Sequence, residues 1–232
     1  MTEDNKKTKK SVFVEFIAAA TILTVLIFLI RISGLDLKIS DRAHQLTAFK
    51  SGTLMEYLAW IGKYLSILFA ALAMLLLIKK RNENHPFKKE LIFALLLLFI
   101  GPFLINNFLL KPFFKRPRPQ QIIRYQAESQ HTFVPAFNSG TDTSHKSFPS
   151  GHAGAAFFFI FPWFCYKYRQ RFGLKLFLPG LCFGLLTGSL RILVGKHFLS
   201  DILASLMLVY LTGLVLAYLV FRKDTLEESS KT

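Results

Sequence analysis

Long apolar blocks alternate with short polar stretches along the chain. Five of the blocks occupy residues 12–31, 53–78, 90–110, 176–195 and 199–221. Each is about 20 residues long, which is the length that an α-helix needs to cross the hydrocarbon core of a bilayer. A sixth block at residues 152–166 is shorter and aromatic, so it needs help from its flanks to cross. The pattern therefore predicts an all-α integral membrane bundle of six transmembrane helices.

The polar stretches carry the information on orientation. Basic runs occur at residues 6–10, 79–89 and 167–175, and Lys and Arg concentrate in the cytoplasmic loops of membrane proteins. We therefore expect both termini in the cytoplasm and the long non-apolar segment 111–151 on the outer face. The first apolar block lacks a small-residue cleavage site, which favours a retained helix over a signal peptide.

Composition narrows the class of protein. The chain has 232 residues, of which 52% are hydrophobic, and a net charge of +15. In a soluble protein this balance would suggest nucleic acid, but here the charges lie between apolar blocks, where topology and anionic headgroups explain them. We expect no nucleic-acid partner and a single domain over residues 1–232, with its functional core at 111–201. Cys165 and Cys182 fit no metal-site spacing and are expected to remain thiols.

Three polar clusters that combine cations, histidines and an acid lie at the ends of apolar blocks. They read KPFFKRPRP at residues 111–119, PSGH at 149–152 and LRILVGKHFLSD at 190–201. Their order and spacing resemble the three-part signature of type 2 phosphatidic acid phosphatases. That signature is Lys, six residues and Arg-Pro; then Pro-Ser-Gly-His; then Ser-Arg, five residues, His, three residues and Asp. Leu190 stands where the family usually has Ser.

The residue types in the clusters suit phosphoryl transfer. Its transition state spreads negative charge over three equatorial oxygens, which fixed cations such as Lys111, Arg118 and Arg191 stabilise. Ser150 and Gly151 precede an apolar block. Glycine lets the backbone approach an anion closely, and N–H groups at a helix N-terminus bind phosphate oxygens. Ser150 is equally well explained as a helix cap.

Other charges near the clusters are expected to play lesser parts. Lys115, Arg116 and Lys196 fit flanking charges that attract anionic lipid. Glu56 and Lys63 lie seven residues apart in the second block, on roughly one helical face. The simpler explanation for these two is that they snorkel to the outer interface. The alternative is a contribution to a headgroup pocket.

Two histidines divide the predicted chemistry. Asp201 follows His197 by four residues, and a carboxylate on one ring nitrogen orients an imidazole and stabilises the cation formed on attack. His197 is therefore the predicted nucleophile. His152 has no nearby acid in the sequence and adjoins the anion-binding turn, which suits a proton donor to the leaving oxygen. The competing interpretation makes both histidines polar caps and Asp201 a first-turn acid.

The family resemblance implies the same division of roles. It implies a phosphohistidine intermediate on His197, with Asp201 orienting the ring and His152 as general acid. The residues that it places around the phosphate are Lys111, Arg118, Ser150, Gly151 and Arg191. It also implies chemistry without metal or cofactor, and no cluster of carboxylates and histidines in the sequence has metal-ligand spacing.

The expected function is removal of phosphate from a lipid headgroup, with the active site on the periplasmic side of a bacterial inner membrane. The long segment before residue 149 and the HFLSD of the third cluster resemble the bacterial lipid A phosphatase branch, which favours lipid A phosphate as the substrate. Phosphatidylglycerophosphate, undecaprenyl diphosphate and phosphatidic acid are alternatives, as is phosphate transfer to a second lipid. Non-enzyme alternatives are an anionic-lipid transporter, which should have interrupted helices near the bilayer midplane, and an assembly protein that holds anionic lipids. The sequence does not indicate the oligomeric state.

Overall fold

A computed structural model of the chain describes residues 3–50, 52–80, 87–142, 144, 146–166 and 173–229. The α-helices in these ranges are α1 (Glu3–Ser33), α2 (Leu35–Thr47), α3 (Leu54–Lys79), α4 (Lys88–Leu98), α5 (Lys111–Phe114), α6 (Gly151–Phe157), α7 (Phe161–Tyr166), α8 (Gly173–Leu193) and α9 (Leu199–Ser229). A π-helical segment, Phe99–Leu110, joins α4 to α5, and a 3₁₀ turn, Phe158–Ile160, joins α6 to α7. The described residues contain no β-strand, so the predicted all-α class is confirmed.

Five helical stretches in the described part of the chain are long and apolar enough to cross a membrane. They are Lys10–Ser33, Leu54–Lys79, Lys88–Gln121, Leu174–Leu193 and Leu199–Phe221, and they match five of the six predicted spans. The remaining predicted span, residues 152–166, consists of α6, the 3₁₀ turn and α7, and is shorter than the roughly 20 residues of a full span. The protein is thus a multi-pass membrane protein. Residues 81–86 and 167–172 of the predicted basic runs lie outside the described residues.

The short segment of α6 and α7 lies at the centre of the bundle. α6 packs against α3, α8, α9 and the π-helical segment, and its Phe157 is fully buried. The approach of α8 depends on small residues: a Cβ at Gly184 would overlap the ring of Phe157, and one at Gly180 would overlap the backbone of Phe159. Such close packing is how helices associate where lipid supplies no hydrophobic driving force.

The hydrophobic pattern does not predict α2, which lies in the polar stretch between the first two spans. Gly34, which precedes it, has a φ of +66°, a left-handed conformation that glycine adopts without steric cost. The buried residues Asp36, Ser40 and Ala43 recur at helical spacing. Because Asp36 and Ser40 are polar, the buried face of α2 does not appear in the sequence as a pattern of apolar residues. Because α2 packs on α8 and α9, Asp36 is carried to the start of α9.

The polar segment between α5 and α6 folds over one end of the bundle. Ile122 is buried there. Arg124 forms a two-point ion pair with Asp41 of α2, at 2.7 and 2.8 Å. The backbone N–H of Gln120 donates to the carbonyl oxygen of Gly195 at 3.0 Å. These contacts join the loop after the first cluster to α2 and to the loop of the third cluster.

Candidate active site

The three sequence clusters meet at the end of the bundle that the polar segment covers. The Ser150 N–H donates to the Asp201 carbonyl at 3.2 Å, and the Ser205 hydroxyl is 2.8 Å from each of the carbonyl oxygens of Ser150 and Asp201. The Lys111 Nζ lies 3.1 Å from the point that a Cβ on Gly151 would occupy. The Pro-Ser-Gly-His turn therefore contacts both of the other clusters.

Three of the predicted phosphate-binding residues form one group of positive charge. Lys111 is the first residue of α5, Arg118 lies in the loop after it, and Arg191 lies in the last turn of α8. Lys111 interacts electrostatically with both arginines. Arg191 is only 4% exposed, and its Nε and Nη1 have no hydrogen-bond partner among the described residues. Because a buried charge is costly unless it is paired, this group is suited to an anion.

Ser150 and Gly151 form the turn that begins α6. Ser150 is the N-cap, and its Oγ accepts from the N–H of Ala153 at 3.3 Å. A hydroxyl that accepts in this way still has its own proton to donate, so capping and phosphate binding are compatible. At Gly151 the missing side chain matters, because a Cβ would meet the Lys111 Nζ and the Asn107 Oδ1 at 3.1 and 3.6 Å.

His197 lies in the loop between α8 and α9 and is 3% exposed. Its Nδ1 is 3.2 Å from the Asp201 Oδ2 and 3.5 Å from the Ser147 Oγ. An Nδ1 proton donated to the carboxylate leaves the lone pair on Nε2. Burial lowers the pKa of His197 to about 4, although Asp201 acts to raise it. The ring is therefore neutral at pH 7, as a nucleophile must be.

The carboxylate of Asp201 is fully buried in the first turn of α9. Its Oδ2 accepts from the Ser147 hydroxyl at 2.5 Å and the Phe198 N–H at 2.9 Å, besides the contact with His197. Its Oδ1 accepts from the Arg116 guanidinium at 2.5 Å. With both oxygens bonded, the carboxylate has one orientation, which presents Oδ2 to the imidazole.

Two expectations about flanking charges change with the structure. The expectation that Arg116 is a flanking charge that attracts anionic lipid is wrong: it is 1% exposed and bonded to Asp201. Lys196 is partly buried and its Nζ lies 3.8 Å from the Glu56 Oε1. The sequence contains no signal that separates the buried Arg116 from the neighbouring Lys115, because both follow an aromatic run and precede a proline-rich turn.

His152, in the first turn of α6, is held differently from His197. Its ring packs edge-on against Trp60 of α3, with centroids 4.6 Å apart. Its Nε2 is buried and has no hydrogen-bond partner in the described part of the chain. The Lys63 Nζ lies 4.9 Å from the Trp60 ring centroid. Of the two interpretations of Lys63, this placement favours the headgroup pocket.

An apolar groove adjoins His152 between α3 and the α4–π-helical segment. It has a volume of about 810 Å³. Its polar end is formed by Lys63, Lys111, Gly151 and His152, and its walls run along α3 as far as Met74. At about 1.5 Å of rise per residue, the α3 wall is roughly 16 Å long. The groove thus offers a cationic end and a hydrocarbon-lined body, which suits an amphiphile with a phosphate headgroup.

Asn106, for which the sequence predicts no role, is turned into the core by the π-helical segment. The backbone N–H of Lys111 bonds to the carbonyl of Asn106 five residues earlier, so these two residues share one face. Asn106 is fully buried, and neither of its side-chain polar atoms has a partner among the described residues. Its Nδ2 lies 3.8 Å from the Cβ positions of Gly151 and Gly154. π-Helical turns are frequent at functional sites.

The described residues contain no group of three or more His, Cys, Asp and Glu side chains that could hold a metal ion.

Comparison with known proteins gives one family and two relatives. The model of the PAP2 superfamily matches residues 89–225. The lipid A 4'-phosphatase of Francisella tularensis subsp. novicida (strain U112) is 26% identical over 206 residues, which cover 85% of this chain and 91% of that protein. Undecaprenyl-diphosphatase BcrC of Bacillus subtilis (strain 168) is 31% identical over 152 residues, which cover 66% of this chain and 67% of that protein. No solved structure matches the chain significantly.

Proposed function

The chain belongs to the PAP2 superfamily, and from that premise we propose that it removes a phosphate from a membrane lipid through a phosphohistidine intermediate on His197. The observation that carries the proposal is the buried His197–Asp201 pair, at 3.2 Å, beside Arg191, whose Nε and Nη1 have no hydrogen-bond partner among the described residues. A neutral, oriented imidazole next to concentrated positive charge is what attack on a phosphorus atom needs.

The first step forms a bond between the His197 Nε2 and phosphorus. The bond from phosphorus to the leaving oxygen breaks, and the protonated His152 gives its proton to that oxygen. Binding a phosphate dianion beside His152 favours its charged form. Asp201 stabilises the imidazolium that develops on His197. Lys111, Arg118, Arg191, Ser150 and Gly151 bind the equatorial oxygens.

The second step returns the enzyme to its starting state. Water attacks phosphorus and gives a proton to His152, which now acts as a base. The nitrogen–phosphorus bond breaks and inorganic phosphate leaves with the His197 imidazole neutral again. If a second lipid takes the place of water, the same step becomes phosphotransfer, so the acceptor alone separates the two activities.

A lipid rather than a soluble phosphoester is supported by the apolar groove, which ends at Lys111 and His152. Lipid A phosphate is the favoured substrate, because the relative named for lipid A aligns with 85% of this chain. The relative named for undecaprenyl diphosphate, 31% identical, makes a prenyl diphosphate the second candidate. Phosphatidylglycerophosphate and phosphatidic acid remain in the assay for comparison.

The test is phosphate release by purified protein in detergent micelles from each of these four lipids. The wild type should release phosphate from at least one of them, with His197→Ala as the inactive control. Adding an unlabelled acceptor lipid and following labelled phosphate distinguishes transfer from hydrolysis. A wild type that releases and transfers phosphate from none of the four would overturn the proposal and favour the anionic-lipid transporter.

The proposed location of the site is the periplasmic side of a bacterial inner membrane. Both relatives are bacterial proteins, and the predicted cytoplasmic charges put the site end of the bundle outside. A Cys182→Ser background removes the exposed native thiol. In whole cells, Ser139→Cys should react with an impermeant thiol reagent and Lys79→Cys, at the far end of α3, should not. The reverse pattern would mean that the orientation is wrong.

A further inference from the structure

Arg116 has the largest of the fully buried side chains in the described part of the chain, although it belongs to none of the predicted phosphate contacts. Its Nε donates to the Val134 carbonyl at 2.7 Å and its Nη2 to the Asp36 Oδ2 at 2.8 Å. Its Nη1 donates to the Ser200 Oγ at 2.8 Å and to the Asp201 Oδ1. An arginine has five N–H donors, so its bonding capacity is almost fully used inside the protein.

Aromatic rings surround the same guanidinium. Its central carbon lies 4.3 Å from the ring centroid of Phe198, 5.4 Å from that of Phe133 and 5.9 Å from that of Phe148. Such rings attract a cation through their quadrupole and exclude water. With little water nearby, charge–charge interactions of Arg116 are stronger than on a surface.

Asp36, which lies in α2, is the second acidic partner of Arg116. It is 2% exposed. Its Oδ1 accepts from the N–H of Ser200 at 2.9 Å, and its Oδ2 from the Ser200 hydroxyl at 2.6 Å. Because α9 begins at Leu199, Asp36 satisfies one of the backbone N–H groups that a helix start leaves unpaired. The charges of Asp36, Arg116 and Asp201 therefore alternate in one bonded chain that ends at His197.

We propose that Arg116 and Asp36 are positioning residues that act through Asp201, fixing its carboxylate on His197 and setting how strongly it stabilises the imidazolium formed on attack. The positive charge of Arg116 partly neutralises that of Asp201 and so weakens the effect of Asp201 on the imidazole. The negative charge of Asp36 partly neutralises Arg116 in the same way. The inference rests on the proposed function, in which His197 is the nucleophile. Its physical basis is that charged groups in one buried network are coupled.

Other charges also face His197, and they are common to every variant below. Arg191 approaches from α8, Lys111 from α5 and His152 from α6. Because these groups do not change, a shift between variants reports the chain of Asp36, Arg116 and Asp201.

The test compares Arg116→Gln, Asp36→Asn and the double variant through the pH dependence of kcat/KM. In Arg116→Gln, Asp201 loses its counter-cation and stabilises the His197 imidazolium more strongly. The acid limb of kcat/KM, which reports protonation of His197, should therefore move to higher pH by about one unit. Asp36→Asn leaves Arg116 with a single acidic partner, so the limb should move to lower pH. The double variant removes one charge of each sign, and its limb should return close to that of the wild type.

The orientation of Asp201 has its own readout. Arg116→Gln should lower kcat by roughly 10- to 100-fold with little change in KM, because Arg116 does not touch substrate. Arg116→Lys keeps the charge and should return the acid limb of the kcat/KM profile to its wild-type pH. It should not restore all of kcat, because an ammonium lacks the planar fork that bonds several acceptors at once.

The matched control is the other Arg–Asp pair between α2 and the polar segment. Arg124 and Asp41 bond at 2.7 and 2.8 Å but are 52% and 32% exposed, and neither contacts Asp201. Arg124→Gln should leave the pH limb in place. If it moves the limb as far as Arg116→Gln does, or if Arg116→Gln and Asp36→Asn move it in one direction, the proposal is overturned.

Three further measurements separate effects on folding from effects on function. Gel filtration in detergent and the melting temperature identify folded variants, and if Arg116→Gln does not fold, the downward shift in Asp36→Asn decides. Titration of the His197 ring by NMR follows the same shifts without turnover. A wild type that is inactive on every lipid would refute the proposed function, whereas unchanged NMR titrations in an active series would refute the charge chain.

Discussion

The two histidines of the site are held in different ways. His197 is fixed through Nδ1, which lies 3.2 Å from the Asp201 carboxylate, in a loop that is itself bonded to α9. His152 is fixed by the T-shaped contact of its ring with Trp60, and its Nε2 has no partner among the described residues. One ring therefore has its tautomer set by the protein, and the other has a nitrogen available for a ligand.

The difference corresponds to what each proposed role requires. A nucleophile must present one lone pair in one direction before substrate arrives, so its other nitrogen is bonded in advance. A proton donor must bond to the leaving oxygen, and a permanent partner would have to be displaced first. A buried polar atom without a partner is destabilising, so the unpaired Nε2 of His152 is also favourable for binding of the headgroup.

The largest expected effect comes from removing the bonded histidine. His197→Ala removes the atom that attacks phosphorus, so turnover should fall to background and no phosphoenzyme should form. Rapid-quench trapping with a substrate labelled in the phosphate measures both. His131→Ala is the control, because that side chain is 41% exposed and belongs to no cluster. A trapped phosphoenzyme in His197→Ala would mean that the nucleophile is another residue.

Asp201→Asn should have the next largest effect, because it keeps the shape and removes the orienting charge. In Asp–His pairs of this kind the loss in kcat reaches about 10⁴-fold, while substrate binding should be retained. The sign of the pH effect follows from the two influences on His197: burial lowers its pKa to about 4 and Asp201 raises it. Without Asp201 the pKa falls further, so the acid limb of the rate profile should move to lower pH.

Protonation of the substrate phosphate, near pH 6, affects wild type and variant alike and cancels in their comparison. An unchanged limb in Asp201→Asn, measured by NMR titration of His197 as well as by rate, would contradict the assigned pairing.

The sequence predicts the surroundings of His197 better than those of His152. The spacing of His197 and Asp201 is local, so their contact is visible as a pattern, although the acid lies in a helix start and the histidine in the loop before it. The contact of His152 with Trp60 joins residues far apart in the chain. α3 is apolar on nearly all faces, and its pattern does not distinguish Trp60 from other residues there.

The sequence also predicts those parts of the fold that depend on the length of the apolar segments. The full-length spans follow from hydrophobicity alone. α2 does not, because its buried face includes the polar residues Asp36 and Ser40. The burial of Asp36 depends on its bonds to Arg116 and to the start of α9. The π-helical register, which turns Asn106 inward, also has no sequence signature beyond Pro102 inside the helix.

His152→Ala should have a smaller effect that depends on the substrate. General acid catalysis typically contributes about 10²–10⁴-fold, and the loss should be of this size for a lipid, whose leaving alkoxide needs a proton. It should nearly vanish for 4-nitrophenyl phosphate, whose leaving group is stable as an anion. Rates of the variant on the two substrates measure this directly. Equal losses on both would show that His152 does not donate the proton.

The smallest expected effect is that of a chelator, which should leave turnover unchanged. If His197 and His152 work as nucleophile and acid, each needs its Nε2 for the reaction. His197 has its Nδ1 on Asp201, and both oxygens of Asp201 are bonded to protein donors. With the His197 Nε2 used in the reaction, His197 and Asp201 therefore lack the unoccupied donor atoms that a catalytic metal takes from histidines and carboxylates. In the proposed mechanism the cations Lys111, Arg118 and Arg191 supply the positive charge instead. The measurement is the rate with excess EDTA, then with added magnesium or zinc. A rate that is lost with EDTA and returns with either metal would mean that a metal, rather than the arginines and lysine, neutralises the phosphate.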